Sequence, residues 1–252
     1  MNAAEILARF DSEMRERPPV DEGTRVERAG TVVRLVGDQC MILYSRLNAS
    51  NARDVIAAET AYFRSLGREV EWKVYGHDLP SNLGELLGEA GYVPDPPETM
   101  MVADLASFVP LPRGTGEFEI RRVEDEAGLR AAVAISRDAF GPRGGWREEE
   151  YTKRLRDPTL EIFVAYHNGE PVASARLEMP TGRSFASLWG GGTSPKFRGR
   201  GVYRDLVSLR AESARQRGYR FLTVDALETS RPILERLGFE PVDTTTGWIR
   251  KP

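Results

Sequence analysis

The apolar positions in the second half of the chain follow two different periods, which predict a succession of strands and helices. Residues 118–123 alternate between apolar and polar side chains as a half-buried strand does, whereas residues 124–140 repeat their apolar positions at helical spacing. The same helical spacing runs from Val202 to Arg217, with arginines on the opposite face. Further strands are predicted at 161–166, 171–175, 184–189, 221–224 and 239–249, and a short helix at 231–237.

Two connections between these elements indicate how the strands pair. Asn168-Gly169 separates two strand patterns, and this dipeptide is typical of a tight antiparallel hairpin. The strand at 184–189, the helix after it and the strand at 221–224 form a crossover unit, which joins parallel strands. The predicted fold class is therefore α/β, in the α+β sense of a mixed sheet. His167 lies beside the hairpin turn, where it is either a solvated turn residue or a catalytic base.

A stretch rich in proline and glycine, Pro110–Gly116, interrupts the patterned sequence near its middle. Such a stretch is typical of a linker, because proline and glycine both break regular structure. We therefore predict a first domain at residues 1–108 and a second at residues 117–252, both of ordinary domain size.

The first part of the chain echoes the second, which favours an internal duplication. Residues 86–94 align with 233–241, and residues 53–67 align with 204–218 at an Arg-Asp pair and a closing glycine. Because each match is short, chance similarity stays an alternative. Where the second copy has the sequence Gly-Arg-Gly at 199–201, the first copy has polar residues and no glycine. If the duplication is real, the first copy kept a scaffold and lost a site.

Composition excludes several classes of function. The chain has 35 Lys+Arg and 38 Asp+Glu, so its formal net charge is −3, which argues against a nucleic-acid-binding or membrane-surface protein. No apolar stretch approaches the length that spans a bilayer, and Met1–Phe10 lacks the apolar core of a signal peptide, so a cytoplasmic location is expected. With Cys40 as its one cysteine and only two histidines, the chain is expected to hold no metal.

The segment Pro195–Val202 joins the end of a predicted strand to the start of an amphipathic helix. The first N–H groups of a helix have no partner within the helix and carry partial positive charge, so they bind phosphates. Gly199 and Gly201 leave those N–H groups accessible, and each bond to a phosphate is worth more than an exposed arginine pair. A solvated glycine-rich loop is the alternative for this segment. The three glycines before Thr193 favour a ligand, because a bulge or a close approach of backbone is expected there.

In these residues the sequence resembles the GNAT acetyltransferase superfamily. The family signature, Arg/Gln-x-x-Gly-x-Gly/Ala, begins at Arg198 and fits through Gly201, and the resemblance extends over about residues 117–250. It implies a duplicated acyl-CoA N-acyltransferase fold with acetyl-CoA as co-substrate. It also implies that the diphosphate contacts the amides of residues 199–203 and that the pantetheine arm pairs with the backbone at 191–193. The predicted cofactor-binding residues are Gly191, Gly192, Thr193, Arg198, Gly199, Arg200, Gly201, Val202, Tyr203 and Ser230.

Several positions depart from the family pattern. Tyr203 stands where the signature ends in glycine or alanine, so its ring must turn away or alter the pocket. Leu234 occupies the place of the tyrosine that acts as general acid in many members. The asparagine usual near the start of that helix is missing, which leaves Ser230 as a cofactor contact or simply a helix cap.

The catalytic base and the acceptor pocket are less clearly marked in the sequence. Asp225 follows a strand at the expected mouth of the site and is the predicted catalytic residue, although orienting Ser230 or capping the helix is an alternative. Glu178 and Glu228 are weaker candidates. Three tryptophans line either an acceptor pocket or the core, and three consecutive glutamates open a helix on its solvated side. These are Trp146, Trp189 and Trp248, and Glu148, Glu149 and Glu150.

The predicted function is transfer of an acetyl group from acetyl-CoA to a primary amine of a small molecule or peptide by the second domain. Loss of the general acid weakens this mechanism without removing it, because a thiol with a pKa near ~8.5 leaves fairly well unaided. The alternatives are a CoA-binding or sensing module without catalysis and a purely structural protein without affinity for CoA. The identity of the acceptor and the oligomeric state stay open.

Overall fold

The computed structural model describes residues 2–21, 23–110, 116–144 and 146–252. Of the predicted linker Pro110–Gly116, residues 111–115 lie outside the described residues. Among the described residues, no helix is long and apolar enough to cross a membrane. In chain order the helices and strands are α1 Ala3–Phe10, β1 Arg25–Ala29, β2 Val32–Val36, β3 Met41–Ser45, α2 Ala52–Ser65, β4 Val70–Tyr75, α3 Leu83–Glu89, β5 Val93–Pro94, β6 Glu98–Asp104, β7 Glu119–Arg122, α4 Glu126–Gly144, α5 Glu148–Arg154, β8 Leu160–His167, β9 Glu170–Glu178, β10 Phe185–Thr193, α6 Val202–Gln216, β11 Phe221–Ala226, α7 Arg231–Arg236 and β12 Glu240–Arg250.

The chain forms two structural units, each of which is built from more than one segment of the sequence. Unit 1 contains Met1–Met101 together with two later segments, Asp225–Pro232 and Pro241–Pro252. Unit 2 contains Val102–Val224 and Ile233–Glu240. The last strand, β12, belongs to unit 1 because it pairs antiparallel with β4 and β5 there. Periodicity predicts that strand well but carries no information about its partner, which lies more than 150 positions earlier in the chain.

Unit 1 has the strand order β1-β2-β3-β4-β12. The first three strands form an antiparallel meander, and β3 then connects through α2 to the parallel strand β4. Strand β4 has buried side chains on both of its faces. Its alternating side chains face two sides, and Trp72 and Val70 enter a core that helices α2 and α3 cover with Ile56, Phe63 and Leu87, while Lys73 and Tyr75 occupy the other face.

Unit 2 repeats this arrangement with the strand order β11-β10-β9-β8-β7. Strands β7 to β10 are antiparallel, and β10 connects through α6 to the parallel strand β11, as predicted. Asn168 and Gly169 both have positive φ angles, 50° and 82°, in the predicted hairpin between β8 and β9. The mixed α/β fold class is therefore confirmed.

Both faces of the sheet of unit 2 are covered by helices. On one face the cluster of Leu129, Trp146, Tyr151 and Ile162 packs under α4 and α5. On the other, α6 buries Val202 and Leu206 against the alanines of β9. The predicted helix at 124–140 starts two residues later, at Glu126, and is interrupted at Gly141, where the backbone leaves helical geometry. The three glutamates at 148–150 form the first turn of α5, as predicted.

Candidate functional site

The turn before α6 is shaped by a short 3₁₀ turn, Pro195–Phe197, and by two glycines. The ring of Phe197 is buried in the core under α6 and fixes where the turn leaves the sheet. Gly199 and Gly201 have φ angles of 75° and 89°, in the left-handed region that other residues rarely adopt. A Cβ at Gly199 would meet no atom within 4 Å, so that glycine is required by backbone conformation rather than by crowding.

The amide groups of this turn have no hydrogen-bond partner among the described residues. The N–H of Asp205 donates to the carbonyl oxygen of Gly201 at 3.1 Å and starts the hydrogen bonding of the helix. Before it, no group in the described part of the chain accepts a hydrogen bond from the N–H groups of residues 199–204. The helix dipole adds partial positive charge at the same end. This turn therefore presents a set of unused donors of the kind that binds a diphosphate.

The arginines of the turn already have partners within the protein. Arg200 forms an ion pair with Glu117 and lies over the ring of Phe197, 5.1 Å from its centre. Arg204 contacts the neighbouring carboxylate of Asp205 at 3.0 Å. The Nε of Arg198 donates to the carbonyl oxygen of Thr193 at 3.2 Å. The amides, rather than the arginines, are thus the uncommitted groups.

Strand β10 is distorted where the sequence predicts a bulge. Its register against β9 shifts between Trp189 and Gly192, and Gly190 has a φ angle of 53°. On its other side, β10 pairs with β11 only over Phe185–Ser187, although β10 runs on to Thr193. The two parallel strands therefore separate beyond a hydroxyl–hydroxyl contact of 3.0 Å between Ser187 and Thr223. Backbone at the end of β10 is left without a strand partner on this side.

Each glycine of the run 190–192 lies against a side chain of unit 2. A Cβ at Gly191 would lie 2.9 Å from the ring of Tyr203, and one at Gly192 would lie 2.7 Å from Ala139. At Gly190 the indole nitrogen of Trp146 occupies the place of a Cβ. The three glycines therefore make room for three close side chains and also allow the bulge in β10. The glycines signal a close approach in the sequence, but nothing in the pattern identifies the side chains that approach.

The structure resolves where the ring of Tyr203 goes. It turns inward against Gly191 and leaves the amide turn open, and burial raises the pKa of its hydroxyl. Behind it lies Arg210, which is 1% exposed and has no carboxylate partner among the described residues. Its guanidinium donates to the carbonyl oxygens of Leu206 at 3.0 Å and Arg176 at 2.9 Å. Burial lowers the pKa of Arg210 to about 10. Sequence reasoning missed this residue, since it looks like one of several arginines on an amphipathic helix.

Asp225 and Ser230 lie in unit 1. The carboxylate of Asp225 forms an ion pair of 3.1 Å with Lys73, which also contacts Glu98 at 3.2 Å. Burial alone would lower the pKa of Lys73, but the surrounding carboxylates, Asp225 foremost, raise it above its usual value. The hydroxyl of Ser230 donates to the carbonyl oxygen of Leu227 at 3.0 Å. The structure therefore gives Asp225 a lysine partner that the sequence did not predict.

Three other predicted positions have clear structural surroundings. Leu234, at the place of the family's general acid, is fully buried in unit 2. Trp146 and Trp189 both lie around Arg176 in unit 2, with their ring centres 5.4 and 5.6 Å from its guanidinium carbon. Trp248 instead packs in unit 1 against the core under α3. Among the described residues, no group of three or more metal-ligating side chains is found.

The geometry fits the diphosphate and pantetheine of a CoA thioester. Open amides at 199–204 suit the diphosphate, and the unpaired edge of β10 up to Thr193 suits an amide-bearing arm that pairs as a strand does. Gly199 and Gly201 have positive φ angles and no side chain of their own in front of the amides, although the guanidinium of Arg204 lies 3.2 Å from the place that a Cβ would take at Gly201. These features are present in unit 2 by itself.

Comparisons with known proteins agree with this geometry. Residues 129–239 match the model of the acetyltransferase (GNAT) family, which supports acyl transfer as the class of reaction. A GCN5-related N-acetyltransferase from Kribbella flavida has a TM-score of 0.73 at 17% identity, covering 99% of this chain and 95% of that one. A GCN5-related N-acetyltransferase from Sphaerobacter thermophilus has a TM-score of 0.66 at 15% identity, covering 99% of this chain and 85% of that one.

A tandem arrangement also occurs among the similar structures. A tandem GNAT protein from the clavulanic acid biosynthesis pathway has a TM-score of 0.62 at 16% identity, covering 92% of this chain and 84% of that one. No curated protein matches the sequence. Residues 129–239 thus match the model of the acetyltransferase (GNAT) family, and the fold of the chain is similar to that of GCN5-related N-acetyltransferases.

Proposed function

We propose that unit 2 binds acetyl-CoA and that the protein transfers its acetyl group to a primary amine of a small molecule or peptide. One observation carries this proposal: the N–H groups of residues 199–204 point from a helix start without any described acceptor, beside a strand whose edge is unpaired. Apart from Val202, these residues are exposed or half-buried, so their N–H groups are within reach of a ligand from solvent. The family match at residues 129–239 supports the same reaction class.

In this proposal the residues of unit 2 bind and orient. The amides from Gly199 to Tyr203 bind the diphosphate, and the backbone of Gly191, Gly192 and Thr193 pairs with the pantetheine arm. Acetyl-CoA supplies an activated acyl thioester when bound. Positioning of this kind contributes ~7–11 kcal/mol to lowering a reaction barrier. Arg198, Arg200 and Val202 hold the shape of the turn, the first two through their contacts with Thr193 and Glu117.

We assign proton removal from the acceptor amine to Asp225. Its carboxylate is held by the buried ammonium group of Lys73 at 3.1 Å, so its position is fixed. Because Leu234 replaces the general acid, the leaving thiolate departs without a proton donor at that position, which removes a factor of about 10²–10⁴ from the rate. Ser230 is a further proposed contact to the cofactor.

The remaining parts of the proposal concern the organisation of the chain. We propose that residues 1–108 are a degenerate GNAT-like domain and that residues 117–252 are the domain that binds acetyl-CoA. The cytoplasmic location stays a prediction from the sequence.

A thiol-release assay tests the proposed function. Purified protein is mixed with acetyl-CoA and a panel of primary amines, and free CoA thiol is measured over time. We expect release that depends on at least one amine, and native mass spectrometry of the purified protein should show bound CoA. Binding of CoA without release with any amine would contradict catalysis.

A module that binds CoA without catalysis is the second candidate function. The buried Leu234 at the position of the general acid favours it, because no other proton donor is seen at that position. Tight CoA binding with no thiol release across the panel is the result that this alternative predicts. Absence of CoA binding would contradict both candidates.

A further inference from the structure

Three hydrogen-bond donors of unit 2 belong to side chains that pack around one another, and none of them has a hydrogen-bond acceptor among the described residues. They are the indole N–H of Trp146, the hydroxyl of Tyr151 and the guanidinium of Arg176. Trp146 and Tyr151 are only 6% and 4% exposed, so both polar atoms sit on side chains that are otherwise buried. In the part of the chain that the structure describes, no group accepts a hydrogen bond from any of the three.

Arg176 is held in place by aromatic rings rather than by hydrogen bonds. Its guanidinium carbon lies 5.4, 5.1 and 5.6 Å from the ring centres of Trp146, Tyr151 and Trp189. Glu178 approaches only the Nε edge, at 3.2 Å. The other edge of the fork, with its two terminal nitrogens, is therefore left for a ligand. That edge has the spacing that binds both oxygens of a carboxylate.

This donor cluster adjoins the bulge of β10. Arg176 lies directly opposite Trp189 in the ladder between β9 and β10, and the bulge begins at the next residue, Gly190. The indole nitrogen of Trp146 lies over Gly190 itself. Trp189 is 41% exposed, so its ring offers an open apolar wall beside the cluster.

We propose that this cluster binds a carboxylate of the acceptor, so that the acceptor is an amine that also carries a carboxylate, as an amino acid does. That the ligand is the acceptor of acetyl transfer rests on the proposed function, but the carboxylate site itself is inferred from the donors alone. A ligand with two acceptor oxygens satisfies the guanidinium fork, and the nearby indole and phenol donors complete its coordination. Glu178 already forms an ion pair with the Nε of Arg176 at 3.2 Å, so a carboxylate of the acceptor would pair with the two terminal nitrogens.

The test uses two probes that need no turnover, N-acetylglycine and its uncharged counterpart N-acetylglycinamide. Their affinities are measured by calorimetry with and without CoA present. We expect the wild-type protein to bind N-acetylglycine at least ~10-fold more tightly, as one charge-assisted pair supplies. Arg176→Gln is expected to remove that preference, and Arg176→Lys to restore part of it because the charge returns without the fork.

A matched control and a second variant keep the test decisive. Arg121→Gln removes an arginine that also lies over an aromatic ring, 4.6 Å from the centre of Tyr166, and is expected to leave the preference unchanged. If Arg176→Gln does not fold, Tyr151→Phe removes one donor and keeps the ring, and N-acetylglycine binding should then fall about 3- to 10-fold. Equal binding of the two probes by wild type, no binding of either, or a preference that survives both substitutions would overturn the proposal.

The outcome also separates this inference from the proposed function. A preference for N-acetylglycine in a protein that releases no thiol with any amine would leave the carboxylate site standing and remove the catalysis. Thiol release that is as fast with ethylamine as with glycine would leave the catalysis standing and remove the carboxylate site.

Discussion

The two units open their central helices with turns of opposite chemistry. Before α2 in unit 1, the side-chain oxygen of Asn48 accepts hydrogen bonds from the N–H groups of Ser50 at 2.9 Å and Asn51 at 3.1 Å. The backbone oxygen of Asn48 takes the next N–H, that of Ala52, at 3.1 Å. Before α6 in unit 2, the equivalent N–H groups of residues 199–204 have no acceptor among the described residues.

The difference shows how one scaffold gains or loses an anion site. Both turns follow a strand, lead into a helix and return to a parallel strand, so the backbone path is shared. In the first turn, Asn48 accepts hydrogen bonds from the amides, so these amides are not available to a ligand. Glycines at 199 and 201 give the second turn its positive φ angles and leave its donors for a ligand. The stability that a cap would add is forgone in unit 2.

The units also hold a buried arginine in different ways. In unit 1, both terminal oxygens of Asp78 accept from Arg15, at 2.8 and 2.7 Å, and Arg15 is 2% exposed. Burial alone would lower the pKa of Arg15, but Asp78 raises it above its usual value. Arg210 of unit 2 donates only to backbone oxygens in the described residues, and burial lowers its pKa.

The largest expected effect comes from removing these arginines. Arg15→Met should lower the free energy of unfolding by about 3–5 kcal/mol, because it leaves the carboxylate of Asp78 buried without a cation. Arg210→Met should cost only about 1–2 kcal/mol, because the loss of two hydrogen bonds to backbone oxygens is partly offset by the removal of a buried charge that has no carboxylate partner among the described residues. Denaturant unfolding of both variants measures the difference. Equal losses would show that the two arginines do not differ as described.

The next effect sharpens the comparison of the turns. Gly201→Val should lower CoA affinity by roughly 100-fold or more, because a β-branched residue cannot hold a φ angle of 89° and the amides then move. Gly218→Val is the matched control, with a φ angle of 85° at the other end of the same helix. It should destabilise the fold without a specific loss of CoA binding. Calorimetry with CoA that shows similar losses for both would contradict the assignment. Arg200→Ala should weaken binding only a few-fold.

A third effect concerns the network that fastens the last strand within unit 1. His77 contacts Asp11 at 2.9 Å and also Asp243, and these hydrogen bonds raise its pKa to about 9. Because the folded pKa lies above the unfolded value of about 6.5, this stabilisation is complete below pH 6.5 and is lost as the pH rises through 9. With its side chain partly exposed, the loss should be on the order of 1–2 kcal/mol.

The variant His77→Gln isolates this contribution. Unfolding in urea at pH 6 and at pH 9.5 gives the change in free energy for wild type and variant, and the other titrating groups cancel in the difference. Wild type should lose more stability than the variant over this interval. Parallel pH profiles would rule out the network as a source of pH-dependent stability.

The smallest effect tests the closed turn of unit 1. Asn48→Ala should lower the free energy of unfolding by about 1 kcal/mol, the usual value of such a side-chain cap, and should create no CoA affinity on its own. Asn82→Ala is the control, because Asn82 precedes α3 without a side-chain bond to the helix. A loss of similar size in both would remove the special role of Asn48.

Some features of this fold could be predicted because they depend on the conformational preferences of residues that are close in sequence. The hairpin at Asn168-Gly169 follows from the positive φ angles that this dipeptide favours, and the parallel pair β10–β11 follows from the crossover between them. The glycines at 199 and 201 mark a turn with exposed amides for the same reason. The run at 190–192 correctly indicated a bulge.

Long-range features were not predictable, because they depend on which surfaces meet. The pattern of β12 predicts a strand at 239–249 but not that it pairs with β4. The ion pair between Asp225 and Lys73 joins residues 152 positions apart. Nothing in the helical repeat of α6 distinguishes the buried Arg210 from the other arginines of the helix. That Arg176 lies opposite Trp189 follows only from the register between β9 and β10, which the sequence does not give.

The central claim is that the turn before α6 binds a diphosphate through its amides and that the turn before α2 does not. Amide chemical shifts measured by ¹⁵N NMR during a titration with CoA test it most directly. The claim predicts large shifts for the N–H groups of residues 199–203 and none for those of residues 48–52. Shifts confined to other parts of the chain, or equal shifts in the two turns, would contradict it.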